Sequence, residues 1–280
     1  MTDKSINSIV VKFAIYFILC IFAALAIFPI FWLVLQSFKT TQEYISTNKL
    51  AFPQRWVLVN YRVAWQQGKF RVLVPNSIFY TSVTVIMVII LSFMQGFAFG
   101  KLSNRATPFL HGIYIVGILL TIQSIMVPLF LLINTVGLFN TRLGILISYI
   151  GIGLPIGVYL STEYIKNIPD SLVESARIDG AKYIKIFTSI IFPMAGPVAV
   201  TVALFTFTNS WNEFVFINIL TSNDNLRSIP VGINRFSGVN SIDYGKQFAA
   251  LVISLFPMLI FYLIFRKQIT KGVVAGAIKG

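Results

Sequence analysis

The sequence is poor in charge. Only 11% of its 280 residues are charged, against about 25% in a typical soluble domain. This is too little charge to cover the surface of a globular protein of this length, which excludes an ordinary soluble enzyme, a disordered tail and a nucleic-acid-binding module. Because 56% of the residues are hydrophobic, the composition instead predicts a polytopic membrane protein.

Reactive and metal-binding side chains are also scarce. With one cysteine, Cys20, and one histidine, His111, the chain can form neither an internal disulfide nor a Cys/His metal cluster of its own. It lacks the phosphate-binding motif G-x-x-x-x-G-K-[ST] and the motifs H-E-x-x-H and G-x-S-x-G. These absences argue against a membrane-embedded enzyme. We therefore predict that the chain is not an enzyme and has no metal site.

Long hydrophobic segments are what the sequence has in abundance. A helix needs about 20 apolar residues to cross a hydrocarbon core of about 30 Å. The first uncharged run, 13–35, is longer than the 7–15 apolar residues typical of a signal peptide, so we interpret it as a membrane span. Two polar, aromatic-containing stretches, 39–74 and 221–246, are predicted as external loops. The six predicted spans are residues 13–35, 75–100, 109–136, 144–162, 194–220 and 247–265.

The positions of the basic residues orient these spans. Six spans place both termini on one side of the membrane, and basic residues are concentrated beside the helix ends on that side. The residues concerned are Lys12, Lys101, Arg105, Arg266 and Lys267. Both termini are therefore predicted to be cytoplasmic.

Residues 163–192 form a long polar insert between two spans. Pro169 stops the preceding helix, Asp170 or Ser171 can cap a new one, and Ser171-x-x-Glu174 fits a capping box. This pattern predicts a short helix with an apolar side, lying on the cytoplasmic face.

The short helix is predicted to end at a glycine. Gly180 can adopt the left-handed conformation of a C-cap, and a second helix is expected from there to Pro193. An apolar side that has no partner within the insert suits the docking of a soluble protein.

The insert also resembles a known motif. Glu174-Ser175-Ala176-x-x-Asp179-Gly180-Ala181, followed after eight residues by Ile190-x-Phe192-Pro193, resembles the EAA loop of bacterial ABC-importer permeases. That loop reads E-A-A-x-x-x-G, a nine-residue gap and I-x-L-P, so Ser175 and Phe192 depart from it mildly. Further segments are similar to the maltose-permease-like carbohydrate branch of the family, namely Asn76-Ser77, Pro128-Leu129, Trp211-Asn212-Glu213-Phe214 and residues 272–280.

The resemblance implies a type I ABC importer permease fold of six transmembrane helices. The implied organisation is an N-terminal helix and external loop (1–70), a permease core with the cytoplasmic coupling loop 163–192 (71–266) and a C-terminal tail (267–280). In the family the coupling loop sits in a groove of an ATP-hydrolysing subunit. The residues given that role by the resemblance are Glu174, Ser175, Ala176, Asp179, Gly180, Ala181 and Pro193.

The resemblance also implies a role for the tail, which in the maltose-like branch reaches between two ATPase subunits. Gly272, Gly276, Lys279 and Gly280 are the residues expected to contact them. The alternative interpretation is a frayed basic terminus at the lipid surface.

The fifth apolar segment carries a polar stripe with the only acid expected inside a span. Its residues are Thr208, Asn209, Asn212, Glu213 and Phe216. Hydroxyls, amides and aromatic rings suit a sugar, and these residues are the expected substrate path. The alternative is that they hold helices together, since such side chains commonly bond between helices in lipid.

Taken with the resemblance, these patterns predict a permease subunit that moves a sugar or oligosaccharide across a bacterial cytoplasmic membrane by alternating access. The expected partners are a second homologous permease, two ATPase subunits that bind ATP and magnesium, and an extracytoplasmic sugar-binding protein. No cofactor is expected in this chain. The alternative function is an ion-coupled secondary transporter with Glu213 as the ion site.

Overall fold

A computed structural model describes residues 3–102, 104–238 and 242–277, with side chains for those of them between 11 and 267. These residues form α-helices and no β-strand, which confirms the all-α prediction. The helices are α1 (Asp3–Gln36), α2 (Thr41–Ser46), α3 (Val59–Gln67), α4 (Phe70–Lys101), α5 (Thr107–Leu119), α6 (Ile122–Thr135), α7 (Arg142–Lys166), α8 (Asp170–Ile178), α9 (Tyr183–Ile186), α10 (Phe192–Met194), α11 (Gly196–Asn212), α12 (Val215–Leu220), α13 (Ile229–Asn234) and α14 (Tyr244–Ala277). A π-helical turn, Phe187–Ile191, joins α9 to α10, and a 3-10 turn, Asp224–Leu226, precedes α13.

The described residues contain four helices that are long and apolar enough to cross a membrane. They are Val11–Gln36 of α1, α4, α7 and Tyr244–Lys267 of α14. Two bent pairs of helices pass the same test together: α5 with α6, at 111°, and Tyr183–Met194 with α11, at 78°. Counting each bent pair as one span gives six, the number predicted from the sequence, although the second pair covers 183–212 and the predicted fifth span was 194–220.

The third predicted span, 109–136, is not one continuous helix. The chain is extended at Leu120 and Thr121, and α6 sets off there in a new direction. The Thr121 and Ser124 hydroxyls are hydrogen-bonded to each other at 2.9 Å in the first turn of α6. The expectation of a single helix was therefore wrong. The sequence did not reveal the break because the residues on both sides of it are equally apolar.

One compact unit joins the described residues of 1–70 with those of 232–256. Tyr44 in α2 packs its ring on Tyr244 and Phe248 at the start of α14, with centroids 4.7 and 5.1 Å away. The Thr41 hydroxyl donates a 2.9 Å hydrogen bond to Asp243. Burial acts to raise the pKa of Asp243, but hydrogen bonds from Lys246 and Thr41 outweigh it, so the pKa lies below its ordinary value.

The second compact unit contains the described residues of 71–231 and of 257–280. Its core holds α4 and α7 together through small residues: the Ser161 hydroxyl donates to the backbone oxygen of Ser92 at 2.7 Å. A Cβ added at Gly96 would lie 2.5 Å from the Ser161 hydroxyl oxygen and 3.0 Å from its backbone carbon. Close approach at small residues is a common basis of helix packing in membranes.

We expect Gly96→Val to destabilise this packing, because the added side chain would meet the side chain of Ser161 and, directly behind it, the backbone of α7. Overpacking of this kind typically costs about 1–3 kcal/mol. The melting temperature of the purified protein in detergent should fall by several degrees. Gly112→Val is the matched control, since no atom in the described part of the chain lies within 4 Å of a Cβ built there. An equal fall in both variants would contradict the close-packing argument.

Candidate functional site

Gly180 ends helix α8 in the left-handed conformation predicted from the sequence, with a φ of +79°. The Gly180 amide donates to the Arg177 carbonyl at 3.0 Å, and the Ala181 amide donates to the Ala176 carbonyl at 2.9 Å. This pair of bonds is the Schellman motif, which satisfies the free carbonyls at a helix end. The chain then turns into α9, so the predicted helix–turn–helix is confirmed.

The beginning of α8 differs from the expected capping box. Pro169 is the N-cap and no side chain caps the helix, so neither Asp170 nor Ser171 has the predicted role. Instead, the Asp170 carboxylate accepts a 2.6 Å bond from the ammonium group of Lys101 at the end of α4. An ammonium partner is stronger than a neutral amide, which explains why Asp170 turns away from its own helix.

Lys101 holds three segments of the chain together. Its side chain is only 2% exposed, whereas that of Asp170 is 76% exposed. The ammonium also donates to the Lys166 carbonyl at 3.2 Å and to the Ile168 carbonyl at 2.5 Å, at the end of α7. From the sequence, Lys101 was used only to orient the chain in the membrane. The one local signal for its contacts was its place in the last turn of a helix, where basic side chains often bond helix-end carbonyls; here those carbonyls belong to the end of α7.

The apolar side of α8 faces the core of its own unit. Val173 and Ala176 are buried in the cluster that contains Phe97, Ile165 and Ile186. That side is therefore not free for a partner, contrary to expectation, because the chain itself covers it.

A different apolar surface is exposed around Gly180. Ile178 is 86% exposed and Ile184 is 79% exposed, and Leu172 and Tyr183 are exposed as well. We call Leu172, Ile178, Tyr183 and Ile184 the exposed apolar rim. The predicted coupling residues Glu174, Ser175 and Asp179 are also exposed, Ala181 is half-buried, and Pro193 is exposed in α10. Sequence reasoning missed Ile178 and Ile184, which lie on either side of the turn.

The five predicted residues of the polar stripe line one cleft. The cleft has a volume of about 390 Å³, and Tyr149, Ile152 and Phe214 are among its other lining residues. Asn212 donates to the Thr208 carbonyl at 2.9 Å, one turn back in α11. Buried in the same wall, the Thr206 hydroxyl has no hydrogen-bond partner among the described residues.

Glu213 lies at a break in the fifth predicted span rather than inside a helix. The chain is extended at Glu213, between α11 and α12, so the single span predicted for 194–220 was wrong in detail. The carboxylate accepts bonds from the amides of Phe216 (2.6 Å) and Ile217 (3.0 Å) and from the Tyr149 hydroxyl (2.8 Å). Amides in the first turn of a helix have no backbone partner within that helix. The Glu213 carboxylate accepts hydrogen bonds from two such amides at the beginning of α12.

The segment after α12 is bonded to the start of α4. The Asn76 side chain donates to the carbonyls of Asn225 and Arg227 at 2.7 and 3.0 Å, and the Tyr80 hydroxyl donates to that of Leu226 at 2.9 Å. The Ser77 hydroxyl accepts a 2.9 Å bond from the Ile229 amide. Asn76-Ser77, noted in the sequence only as part of a resemblance, therefore positions residues 225–229.

The residues predicted to form the tail are only partly described. Gly272 and Gly276 lie in α14, which continues past the predicted end of the sixth span to Ala277. Lys279 and Gly280 lie outside the described residues. Contact of this tail with another protein stays a prediction.

Comparison with known proteins places these features in context. Residues 94–273 match the family described as the binding-protein-dependent transport system inner membrane component. The chain is 33% identical over 266 residues to a putative ABC transporter permease protein of Caldicellulosiruptor sp. (strain Rt8B.4), covering 95% of this chain and 96% of the relative. It is 32% identical over 262 residues to a trehalose/maltose transport system permease protein of Thermococcus litoralis, covering 92% and 93%.

A third relative and a solved structure extend the comparison. The chain is 28% identical over 264 residues to a diacetylchitobiose uptake system permease protein of Streptomyces coelicolor, covering 94% of this chain and 87% of the relative. Its fold is similar to that of a chain in the crystal structure of a bacterial ABC transporter involved in the import of the acidic polysaccharide alginate. The TM-score is 0.78 at 23% identity, and 93% of this chain and 97% of that chain are covered.

Proposed function

The chain belongs to the family of binding-protein-dependent transport system inner membrane components, and from this membership we propose that it moves a sugar or oligosaccharide through the membrane as one permease subunit of an ATP-driven ABC importer. Relatives named for trehalose/maltose and diacetylchitobiose transport support a saccharide as the cargo. Transport proceeds by alternating access, without covalent chemistry. The similar proteins described above include no ion-coupled carrier that would favour the alternative.

The observation that carries the proposal is the exposed apolar rim around Gly180. Large aliphatic side chains that are exposed at a turn beside charged residues suit a protein interaction site, and Glu174 and Asp179 supply that charge. An ATP-hydrolysing subunit is the partner that this family requires. In our proposal Glu174 pairs with a basic group of that subunit, and ATP and magnesium are bound there.

The remaining partners and the orientation belong to the same proposal. Both termini and α8 face the cytoplasm of a bacterial cell, and a second homologous permease forms the other half of the pathway. The tail residues reach toward the two ATPase subunits. A sugar-binding protein outside the membrane docks on the segments 39–74 and 221–246.

Reconstitution of the importer tests this function. Proteoliposomes containing both permeases and the ATPase subunits should accumulate a saccharide only when ATP and the binding protein are supplied. Uptake that survives omission of the ATPase subunits, or that follows an imposed ion gradient instead, would support a secondary transporter.

We expect Glu174→Lys to uncouple the subunit from its ATPase, because the reversed charge repels the basic group that docks there. Copurification of the ATPase should fall at least tenfold and uptake should be lost. Glu163→Lys is the matched control: it makes the same charge change on α7, where the half-exposed Glu163 carboxylate pairs with its neighbour Lys166. Equal copurification for Glu174→Lys and the parent protein would show that Glu174 does not dock.

A further inference from the structure

The cleft beside α11 carries a single charge, and that charge is negative. Its described lining residues include hydroxyls, amides and aromatic rings, together with Glu213, but no lysine, arginine or histidine. The nature of this lining bears on which saccharides can enter, because a charged ligand in a membrane-embedded cleft requires an opposite charge or a dense set of donors.

Among the residues with described side chains, no cation forms a hydrogen bond with Glu213. Its three donors are two backbone amides and a tyrosine hydroxyl, all of which are uncharged. Hydrogen bonds donated to a carboxylate favour its ionised form. The wall of the cleft therefore repels anions, and repulsion between like charges is strong where water is excluded.

The other polar groups of the cleft suit uncharged hydroxyls. The side chains of Thr208, Asn209 and Asn212 are exposed in it, and amides and hydroxyls both donate and accept hydrogen bonds. The buried Thr206 hydroxyl has no hydrogen-bond partner among the described residues. A hydroxyl group of a ligand, or a water molecule, can supply one. Phe214 adds an aromatic ring, on which the apolar face of a sugar can stack.

We propose that this cleft selects uncharged saccharides and excludes those that bear carboxylate, sulfonate or phosphate groups. The inference rests on the proposed transport function and adds the substrate class. Discrimination arises mainly by rejection of the wrong ligand. Both kinds of saccharide can form the hydroxyl contacts, whereas only the anionic ones are repelled by the charge of Glu213.

A matched set of trisaccharides tests the inference on the assembled importer without its binding protein, so that only the membrane subunits select. The probes are maltotriose, the triuronate made by oxidising its three primary hydroxyls, and the methyl ester of that triuronate. Binding is measured by quenching of tryptophan fluorescence. Maltotriose and the ester should bind at least tenfold more tightly than the triuronate at neutral pH.

Two variants attribute the preference to the cleft. Asn209→Lys adds a cation at an exposed residue of the lining and should reduce the preference to below threefold or reverse it. Thr201→Lys adds the same charge two turns away on α11, outside the lining, and should preserve it. Asn209→Asp should strengthen the preference for the neutral probes.

The possible outcomes separate the inference from the proposed function. Equal or tighter binding of the triuronate, or the absence of binding by any probe, would overturn the inference, and ATP-dependent uptake of a saccharide by the complete importer would then still stand. Loss of the preference in both lysine variants would also overturn it, because the effect would not come from the cleft. Absence of ATP-dependent saccharide uptake would instead overturn the proposed function.

Discussion

Replacing Gly180 with proline is expected to abolish uptake while the subunit still inserts into the membrane. The φ of Gly180 is +79°, whereas the proline ring fixes φ near −65°. Proline also removes the amide that donates to the Arg177 carbonyl. The turn between α8 and α9 cannot form in this variant, so the exposed apolar rim loses its shape. We expect at least a hundredfold loss of transport rate in proteoliposomes.

Asparagine and alanine at the same position separate backbone conformation from side-chain size. No atom of the described residues lies within 4 Å of a Cβ built on Gly180, so an added side chain meets no obstacle among them. Asparagine tolerates the left-handed conformation, and Gly180→Asn should retain most of the uptake. Gly180→Ala should be intermediate, with a cost of about 1–2 kcal/mol. Normal uptake by the proline variant would show that this turn is not needed for coupling.

Local rules explain why Gly180 could be predicted from the sequence. A helix end, a glycine and a new apolar pattern are all contained in a dozen residues, and the Schellman bonds join residues at most five apart. The apolar segments were equally accessible, because the length needed to cross a bilayer is set by its thickness. The polar stripe on α11 followed from helical spacing alone, and its residues do share one cleft.

The breaks in the third and fifth segments could not be predicted in the same way. Leu120 and Thr121 lie in a run as apolar as a continuous span, with neither glycine nor proline at the bend. Glu213 appeared to be an acid inside a helix, and one of its partners at the break, Tyr149, is 64 residues away in the sequence. The partners of Lys101 lie 65–69 residues away. Such contacts arise from packing, about which one sequence carries little information.

The two parts of the site are connected by a continuous element. Tyr149 in the cleft wall and the carbonyl of Lys166 both belong to α7, whose 25 residues span about 37 Å at 1.5 Å per residue. Lys101 bonds the far end of this helix to the beginning of α8. We therefore expect movement of α8 to be passed to the helix that lines the cleft through the Lys101 bonds.

Lys101→Met should consequently impair coupling without altering either the cleft or the exposed apolar rim directly. Methionine fills the buried space but leaves the Lys166 and Ile168 carbonyls and Asp170 without their donor. Two hydrogen bonds from a charged group are worth about 3 kcal/mol together, and we expect at least a tenfold fall in uptake with a lower yield of the complex with the ATPase.

Two further variants make the Lys101 prediction decisive. Lys166→Met is the matched control, because it removes a cation of the same type. The Lys166 side chain is about half exposed and pairs with Glu163, so its loss should lower the free energy of unfolding by about 0.5 kcal/mol or less. Asp170→Asn should change uptake less than threefold, because Asp170 is largely exposed and the two carbonyls still bind the ammonium group. If Lys101→Met behaves like Lys166→Met, the ends of α4, α7 and α8 do not need this bond to move together. If Asp170→Asn is as damaging as Lys101→Met, the ion pair rather than the pair of carbonyls is what joins α8 to the rest of its unit.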